Sequence, residues 1–363
     1  MASHFKRREI LTSGLACAAA WPLTRPSIAL ADAIEGYAYY LHPELREVGL
    51  RLMKMYEANP PLSLATLARE RQGAALRAPQ PLENVPWRLD RVKGDRTRPE
   101  TKVYVINAKS GGSRPAILYT HGGGFVNGSA LSSVAALQRL ATRIDCVIVT
   151  VEYRLAPETK FGGSLEDNYA ALKWLHRNAE GLGVDAARIA VMGESAGGGH
   201  AALLAIAARD RDEVALAFQC LIYPMLDDRT GTSRPVPAHV GQIVWNAQRN
   251  RFGWESFLGE VPGTSAVPVE GVPARTVDVS RLPPAFIGVG SIDLFCDEDV
   301  EYARRLNEAG VSTELIVVPG AFHGFDNPSF NTKVGRWFSD SVEDALRRGL
   351  GVGAVPSRSG SAK

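Results

Sequence analysis

The sequence lacks the motifs of metal-dependent, nucleotide-dependent and disulfide-dependent proteins. It contains no His-Glu-x-x-His segment, no phosphate-binding P-loop and no Gly-x-Gly-x-x-Gly fingerprint. Only four of its 363 residues are cysteines, and no two of them have the Cys-x-x-Cys spacing. We therefore expect no metal ion and no cofactor. We also expect Cys146, Cys220 and Cys296 to be free thiols rather than zinc ligands or disulfide partners.

The chain also has almost no net charge. Its 41 basic and 39 acidic side chains leave a formal charge of +2, and much of the basic excess lies in the first 31 residues. The remainder is close to neutral, which gives no electrostatic reason to expect binding to nucleic acid or to a membrane surface. An apolar fraction of 45% is typical of a soluble globular chain that is long enough to bury a core.

The mostly apolar segment "ILTSGLACAAAW" near the N-terminus is too short to span a bilayer. Arg7 and Arg8 precede it, and Ala29-Leu30-Ala31 offers a small-x-small cleavage site. This order resembles a bacterial twin-arginine signal at residues 1–31. It predicts export to the periplasm or the medium, and a mature chain without a stable membrane anchor. The alternative is a disordered basic start followed by an amphipathic helix.

From about residue 100, short apolar runs alternate with helical patterns. The runs are "KVYVINA", "PAILYT", "CVIVTVEY", "RIAVMG", "FQCLIYPM", "PAFIGVG" and "TELIVV". This alternation predicts an α/β domain with a mainly parallel central sheet and helices on both faces, which binds ligands beyond the carboxyl ends of its strands. We place this catalytic domain at residues 96–350, followed by a flexible Gly/Ser-rich tail at 351–363.

Two segments interrupt the alternation. Residues 32–95 contain helical patterns before the sheet begins, and residues 227–283 separate two strands by more chain than one crossover helix needs. The insertion also contains Trp245, Trp254 and Phe257. Since the sheet needs neither segment, we predict that both cover its carboxyl edge as a cap. The alternative is that they only pack on the side of the domain.

Two glycine-containing motifs predict acyl-transfer chemistry. "GESAG" follows the strand-like "RIAVM" and opens a helical pattern, which is the context of a nucleophile elbow with Ser195 as nucleophile. "HGGGF" follows another strand-like run. Adjacent glycines can turn backbone N–H groups into a cavity, so we expect Gly123 and Gly124, with Ala196 after the nucleophile, to form an oxyanion hole.

A serine nucleophile needs a base, and a triad also needs an acid. His323, in "PGAFHGFD", follows the last strand pattern and completes the chain order serine, acid, histidine. Asp293 directly follows the strand-like "AFIGVG", whereas Asp297, Glu298 and Asp299 precede a helical pattern, where acids suit a helix start. We predict that Asp293 is the triad acid, with Asp297 as the alternative. The other histidines after the signal fit surface or core positions: His42, His121, His176, His200 and His239.

Five motifs together carry a family resemblance. "HGGGF", "VEYRLAPE", "GESAGG", "DLFCDE" and "FHGF" occur in this order between residues 121 and 326. As a set they resemble the bacterial hormone-sensitive-lipase-like (family IV) esterases. The resemblance implies an α/β-hydrolase fold with a helical cap, hydrolysis of carboxylic esters and Asp293 as the triad acid. Leu294 stands where the family often has proline, and Glu194 where aspartate is commoner, but neither change removes a catalytic group.

The motifs predict a serine carboxylesterase that hydrolyses small-molecule esters of short to medium acyl length through an acyl-enzyme. An amidase, a carbamate hydrolase or a lactonase could use the same triad, which does not separate these activities. A non-catalytic small-molecule receptor is disfavoured, because Ser195, an acid and His323 are all present. We expect a monomer or a homodimer.

Overall fold

The computed structural model describes residues 36–327 and 330–353, so the predicted export signal and residues 354–363 of the predicted tail lie outside it. Eight strands form one sheet in the order β1-β2-β4-β3-β5-β6-β7-β8. Strand β2 is antiparallel to β1 and β4, and the other neighbours are parallel. The strands are β1 (Trp87–Val92), β2 (Thr101–Ile106), β3 (Arg114–Thr120), β4 (Val147–Glu152), β5 (Val184–Glu194), β6 (Phe218–Ile222), β7 (Ala285–Gly290) and β8 (Thr313–Val318).

Helices cover both faces of this sheet. The α-helices of the described residues are α1 (Arg46–Glu57), α2 (Leu64–Leu76), α3 (Ala130–Ile144), α4 (Phe161–Arg177), α5 (Ala179–Leu182), α6 (Ala196–Arg211), α7 (Ala247–Leu258), α8 (Cys296–Glu308) and α9 (Lys333–Gly349). Helices α3 and α9 share one core cluster, and α4, α6 and α8 share the cluster on the opposite face. Burial on both faces explains why β3, β4, β6 and β7 are nearly continuous apolar runs. The predicted α/β architecture is confirmed, and each of the seven predicted runs overlaps one of β2 to β8.

The sheet begins earlier in the chain than predicted. Strand β1 lies inside the 32–95 segment that was assigned wholly to the cap, so that boundary is wrong. Strand β1 is an edge strand that pairs only with β2, and Arg88 and Arg91 are exposed on it. An exposed, charged edge strand lacks the apolar alternation by which the other strands were predicted.

A third hydrophobic cluster lies above the carboxyl edge of the sheet. It joins Leu62, which precedes α2, and Leu67, which lies in α2, to three residues of the insertion: Trp245, Trp254 and Phe257. It also includes residues that follow the ends of the strands: Phe125, Ala196, Met225 and Leu294. Helix α2 and the insertion therefore meet over the edge where the predicted site residues lie.

The three predicted free thiols are unpaired in the structure, with Cys146 and Cys220 buried and Cys296 partly buried. Among the residues that the structure describes, no helix is both long and apolar enough to cross a membrane.

Candidate active site

Ser195 lies in a tight turn between β5 and α6. Its backbone has φ +57° and ψ −125°, a conformation that is strained for any residue with a side chain. The turn can close this tightly only because glycine has no Cβ. A Cβ on Gly193 would lie 2.2 Å from the Gly197 carbonyl oxygen, and a Cβ on Gly197 would lie 2.1 Å from the Thr120 carbonyl oxygen. The Ser195 N–H donates to the Ile222 carbonyl at 2.9 Å. The turn thus holds the Ser195 side chain at the carboxyl edge of the sheet.

A continuous chain of hydrogen bonds joins Ser195, His323 and Asp293. Ser195 Oγ lies 2.9 Å from His323 Nε2, and His323 Nδ1 lies 2.8 Å from Asp293 Oδ2. Asp293 Oδ1 accepts the Phe295 N–H at 3.0 Å. All three side chains are buried, so an imidazole can take the serine proton while a fixed carboxylate orients it. Asp297, the alternative acid, is exposed on α8 and makes no hydrogen bond to His323.

The glycine loop lies against the nucleophile turn. A Cβ on Gly122 would lie 3.5 Å from the Ser195 Cβ. Gly123 and Gly124 adopt φ values of +129° and +61°, which residues with side chains rarely adopt. Within the described chain, the N–H groups of Gly123, Gly124 and Ala196 donate no hydrogen bond to another protein group. Three backbone donors next to Ser195 are therefore available to a negatively charged oxygen.

His121 supports this loop and is a poor candidate for a base. Its ring stacks on Tyr153 with centroids 4.2 Å apart, and the Tyr153 hydroxyl donates to the His121 carbonyl at 2.6 Å. Burial lowers the pKa of His121 to about 4 and that of the nearby His200 to about 3. Both imidazoles are therefore neutral near pH 7, and Tyr153 fixes the backbone at the start of the glycine loop.

The sequence patterns did not predict that Glu194 and Asp326 form a pair of acids behind Ser195 and His323. Glu194 precedes Ser195, and Asp326 follows His323 by three residues. The Tyr223 hydroxyl donates to Asp326 Oδ1 at 2.9 Å, and the Tyr223 ring contacts the His323 ring with centroids 4.8 Å apart. Burial, followed by the charge of Asp326, raises the pKa of Glu194 to about 7. Neither the "GESAG" motif nor the "FHGF" motif reveals this pair, because the two acids come near each other only in the folded chain.

Glu298, one of the acids that follow Asp293, does more than start helix α8. Glu298 Oε1 accepts the N–H groups of Leu226 at 2.7 Å and Asp227 at 3.1 Å. It therefore joins α8 to the loop after β6. Burial raises the pKa of Glu298 and of Asp299 well above the usual range for carboxyl groups.

A serine, an aspartate and a histidine in this chain order, at the carboxyl edge of a mainly parallel sheet, form the arrangement of serine hydrolases with the α/β-hydrolase fold. A family model for the alpha/beta hydrolase fold matches residues 117–327. The chain therefore belongs to this family.

Within this family, the chain is similar to several esterases. The chain is 35% identical over 212 residues to the esterase LipI of Mycobacterium tuberculosis, and 36% identical over 212 residues to the ethyl acetate hydrolase of Pseudomonas putida. Both matches cover 58% of this chain and 65% of the relative, so the chain spans slightly less than two thirds of the length of these curated relatives. A solved bacterial heroin esterase is 35% identical with a TM-score of 0.76, over 86% of this chain and 98% of that chain. These matches confirm the resemblance to the hormone-sensitive-lipase-like esterases.

Proposed function

We propose that this protein is a serine carboxylesterase that hydrolyses small esters of short to medium acyl length through an acyl-enzyme. The observation that carries the proposal is the buried hydrogen-bond chain from Ser195 Oγ through His323 to Asp293, at 2.9 Å and 2.8 Å. Both contacts lie within the range in which a base can activate a nucleophile. The relatives named as esterases support the choice of an ester as the substrate.

The proposed reaction has two steps. Ser195 Oγ attacks the ester carbonyl carbon while His323 Nε2 accepts its proton, and Asp293 stabilises the imidazolium that forms. The tetrahedral oxyanion accepts hydrogen bonds from the N–H groups of Gly123, Gly124 and Ala196, each lowering the barrier by about 3 kcal/mol. The C–O bond then breaks, and the alcohol leaves with the proton from His323. Water attacks the acyl-enzyme by the same route and regenerates Ser195.

A substrate panel tests the proposal. Purified protein is assayed with p-nitrophenyl esters of increasing acyl length, and with anilides, carbamates and lactones of matched size. We expect the highest kcat/KM among the short esters and no turnover by Ser195→Ala, whose circular dichroism spectrum should match that of the parent. Turnover that survives in Ser195→Ala would contradict the proposed nucleophile. A higher kcat/KM for an anilide, a carbamate or a lactone would favour one of the alternative activities.

We also propose that α1, α2 and the 227–283 insertion form a cap over the site. The proposal is supported by the cluster that α2 and the insertion share, by the Arg249 guanidinium of α7, which lies 4.9 Å from the centre of the Tyr56 ring of α1, and by Arg71 of α2. The Arg71 guanidinium binds both oxygens of Glu158 at 2.7 Å and 2.9 Å, and it donates to the Val126 and Ala156 carbonyls at 2.8 Å. Arg71→Ala should therefore speed proteolysis within α1 and α2. Unchanged cleavage would argue against this attachment.

A further inference from the structure

The insertion places one aromatic side chain directly on the glycine loop. A Cβ on Gly124 would lie 2.1 Å from Cη2 and 2.7 Å from Cζ2 of Trp245, so the outer edge of the indole rests against the Gly124 α-carbon. On another side, a Cβ on Gly253 of α7 would lie 2.7 Å from the Gly124 carbonyl oxygen. The Gly124 residue is therefore confined between the Trp245 ring and helix α7.

A buried amide holds the indole in this orientation. Trp245 Nε1 donates to Asn250 Oδ1 at 3.1 Å, and Asn250 Nδ2 donates to the Thr230 carbonyl at 2.9 Å. Asn250 is completely buried and Trp245 is 7% exposed. If the ring turned away from Gly124, these buried groups would lose their partners, at a cost of about 1–3 kcal/mol for each group left unpaired.

The backbone that precedes Trp245 is strained. The Trp245 N–H donates to the Ile243 carbonyl at 2.8 Å, and the residue between them, Val244, has φ +66°. This is a γ-turn with a β-branched residue in the left-handed region, a rare and costly conformation. Ile243 is buried in the core cluster of α3 and α9, whereas Trp245 belongs to the cluster above the carboxyl edge. Strain of this kind persists only where the surrounding contacts impose it, and it is concentrated at functional sites.

We propose that Trp245 is a positioning residue of the oxyanion hole, whose indole edge holds the Gly124 N–H in the orientation that the oxyanion needs. This inference rests on the proposed function. Glycine at φ +61° can leave that conformation more easily than other residues, and the Gly124 N–H has no acceptor within the described chain to hold it. An oxyanion hole is effective because its donors are already oriented when charge develops. The indole contact therefore acts on the transition state rather than on the bound ester.

Trp245→Phe tests this role, because a phenylalanine ring on the same backbone lacks the outer indole edge and the Nε1 donor. We expect kcat for p-nitrophenyl acetate to fall by about 10-fold to 100-fold, with KM changed by less than about twofold. The inhibition constant of a short aliphatic trifluoromethyl ketone should rise by the same factor, because its serine adduct places an oxyanion in the same hole. Titration of the active serine with a phosphonate restricts both measurements to folded enzyme.

Trp254→Phe is the matched control. Trp254 is fully buried in the same cluster and its ring packs on Phe125 with centroids 5.0 Å apart. This substitution should leave kcat and the inhibition constant close to those of the parent. Asn250→Ala is the second test variant, because it keeps the indole but frees its orientation. It should shift kcat and the inhibition constant in the same direction as Trp245→Phe, and it can be measured if Trp245→Phe does not fold.

The outcomes separate this inference from the proposed function. If Trp245→Phe alters KM or acyl-length preference but leaves kcat and the inhibition constant unchanged, Trp245 is a wall of the substrate pocket and the inference is wrong. Equal losses of kcat in Trp245→Phe and Trp254→Phe would also overturn it, because general packing would then explain both. Failure of the parent enzyme to hydrolyse any ester would instead reject the proposed function.

Discussion

Replacement of Glu194 by glutamine tests the acid pair that lies behind the triad. Burial, and secondarily the charge of Asp326, raises the pKa of the Glu194 carboxyl from 4.5 to about 7. The folded protein therefore holds a proton on Glu194 at pH values where the unfolded chain has already released it. Glutamine keeps the shape of the side chain and a carbonyl oxygen, but it cannot ionise.

The sign of the effect follows from the raised pKa. Below about pH 4.5 the carboxyl is protonated in both states and its contribution to stability is fully present. Between about pH 4.5 and pH 7 the free energy of unfolding falls as the pH rises, by up to about 1.4 kcal/mol per pH unit. Between these two pH values, the ionisation of Glu194 therefore lowers the free energy of unfolding by at most about 3.4 kcal/mol. Because Glu194 is partly exposed, solvent screening reduces the expected loss to about 2 kcal/mol.

Urea unfolding followed by circular dichroism between about pH 5 and pH 8 measures this loss. The parent protein should lose about 2 kcal/mol more than Glu194→Gln across this range. Glu255→Gln, on the exposed side of α7, is the matched control and should follow the parent. Parallel pH profiles for the parent and Glu194→Gln would refute the reasoning, because they would show that folding does not change the affinity of this carboxyl for protons.

Two further predictions concern the triad acid and the N-terminal segment. Asp293→Asn should lower kcat by about 10³-fold to 10⁴-fold, since the amide cannot stabilise the imidazolium, while the exposed Asp297→Asn should retain activity. Steady-state assays of both variants test this, and loss of activity only in Asp297→Asn would reverse the assignment. Replacing Arg7 and Arg8 together by lysine should leave the protein in the cytoplasm of a bacterial host, because the paired arginines are the recognised feature of the proposed signal. Activity in the periplasmic fraction that stays at the level of the parent would contradict export by the twin-arginine route.

The positions of Ser195, His323 and Asp293 in the fold could be predicted because each follows from local patterns. Ser195 lies between a strand-like run and a helical pattern, and His323 follows the last strand of the alternation. The choice of Asp293 over Asp297 rested on the family resemblance and on the rule that functional side chains follow the carboxyl ends of parallel strands. Asp293 follows β7 and lies 2.8 Å from His323, whereas Asp297 lies in the first turn of α8.

The features that escaped prediction depend on contacts between distant parts of the chain. Strand β1 is defined by its pairing with β2, since its own residues are largely exposed and charged. The charge of Asp326 raises the pKa of Glu194 only because the turn after β5 and the loop after β8 lie at the same carboxyl edge of the sheet. The position of Trp245 against Gly124 likewise depends on the fold of the whole insertion. No periodicity or motif records a contact of this kind.

The proposed chemistry and the proposed selectivity therefore depend on different parts of the chain. The triad and the glycine loop lie at strand ends, and their hydrogen-bond geometry suits any acyl group that can be attacked by a serine. What distinguishes one substrate from another must touch the bound molecule, and the third hydrophobic cluster shows which segments come closest to the site. Helix α2 and the 227–283 insertion contribute Leu67, Trp245 and Phe257 to that cluster. If Trp245 also orients the Gly124 N–H, a change in the cap alters the rate of the chemical step as well as the fit of the substrate. Variants at Trp245 are then expected to change mainly kcat, whereas variants at cap positions that touch only the bound molecule are expected to change mainly KM.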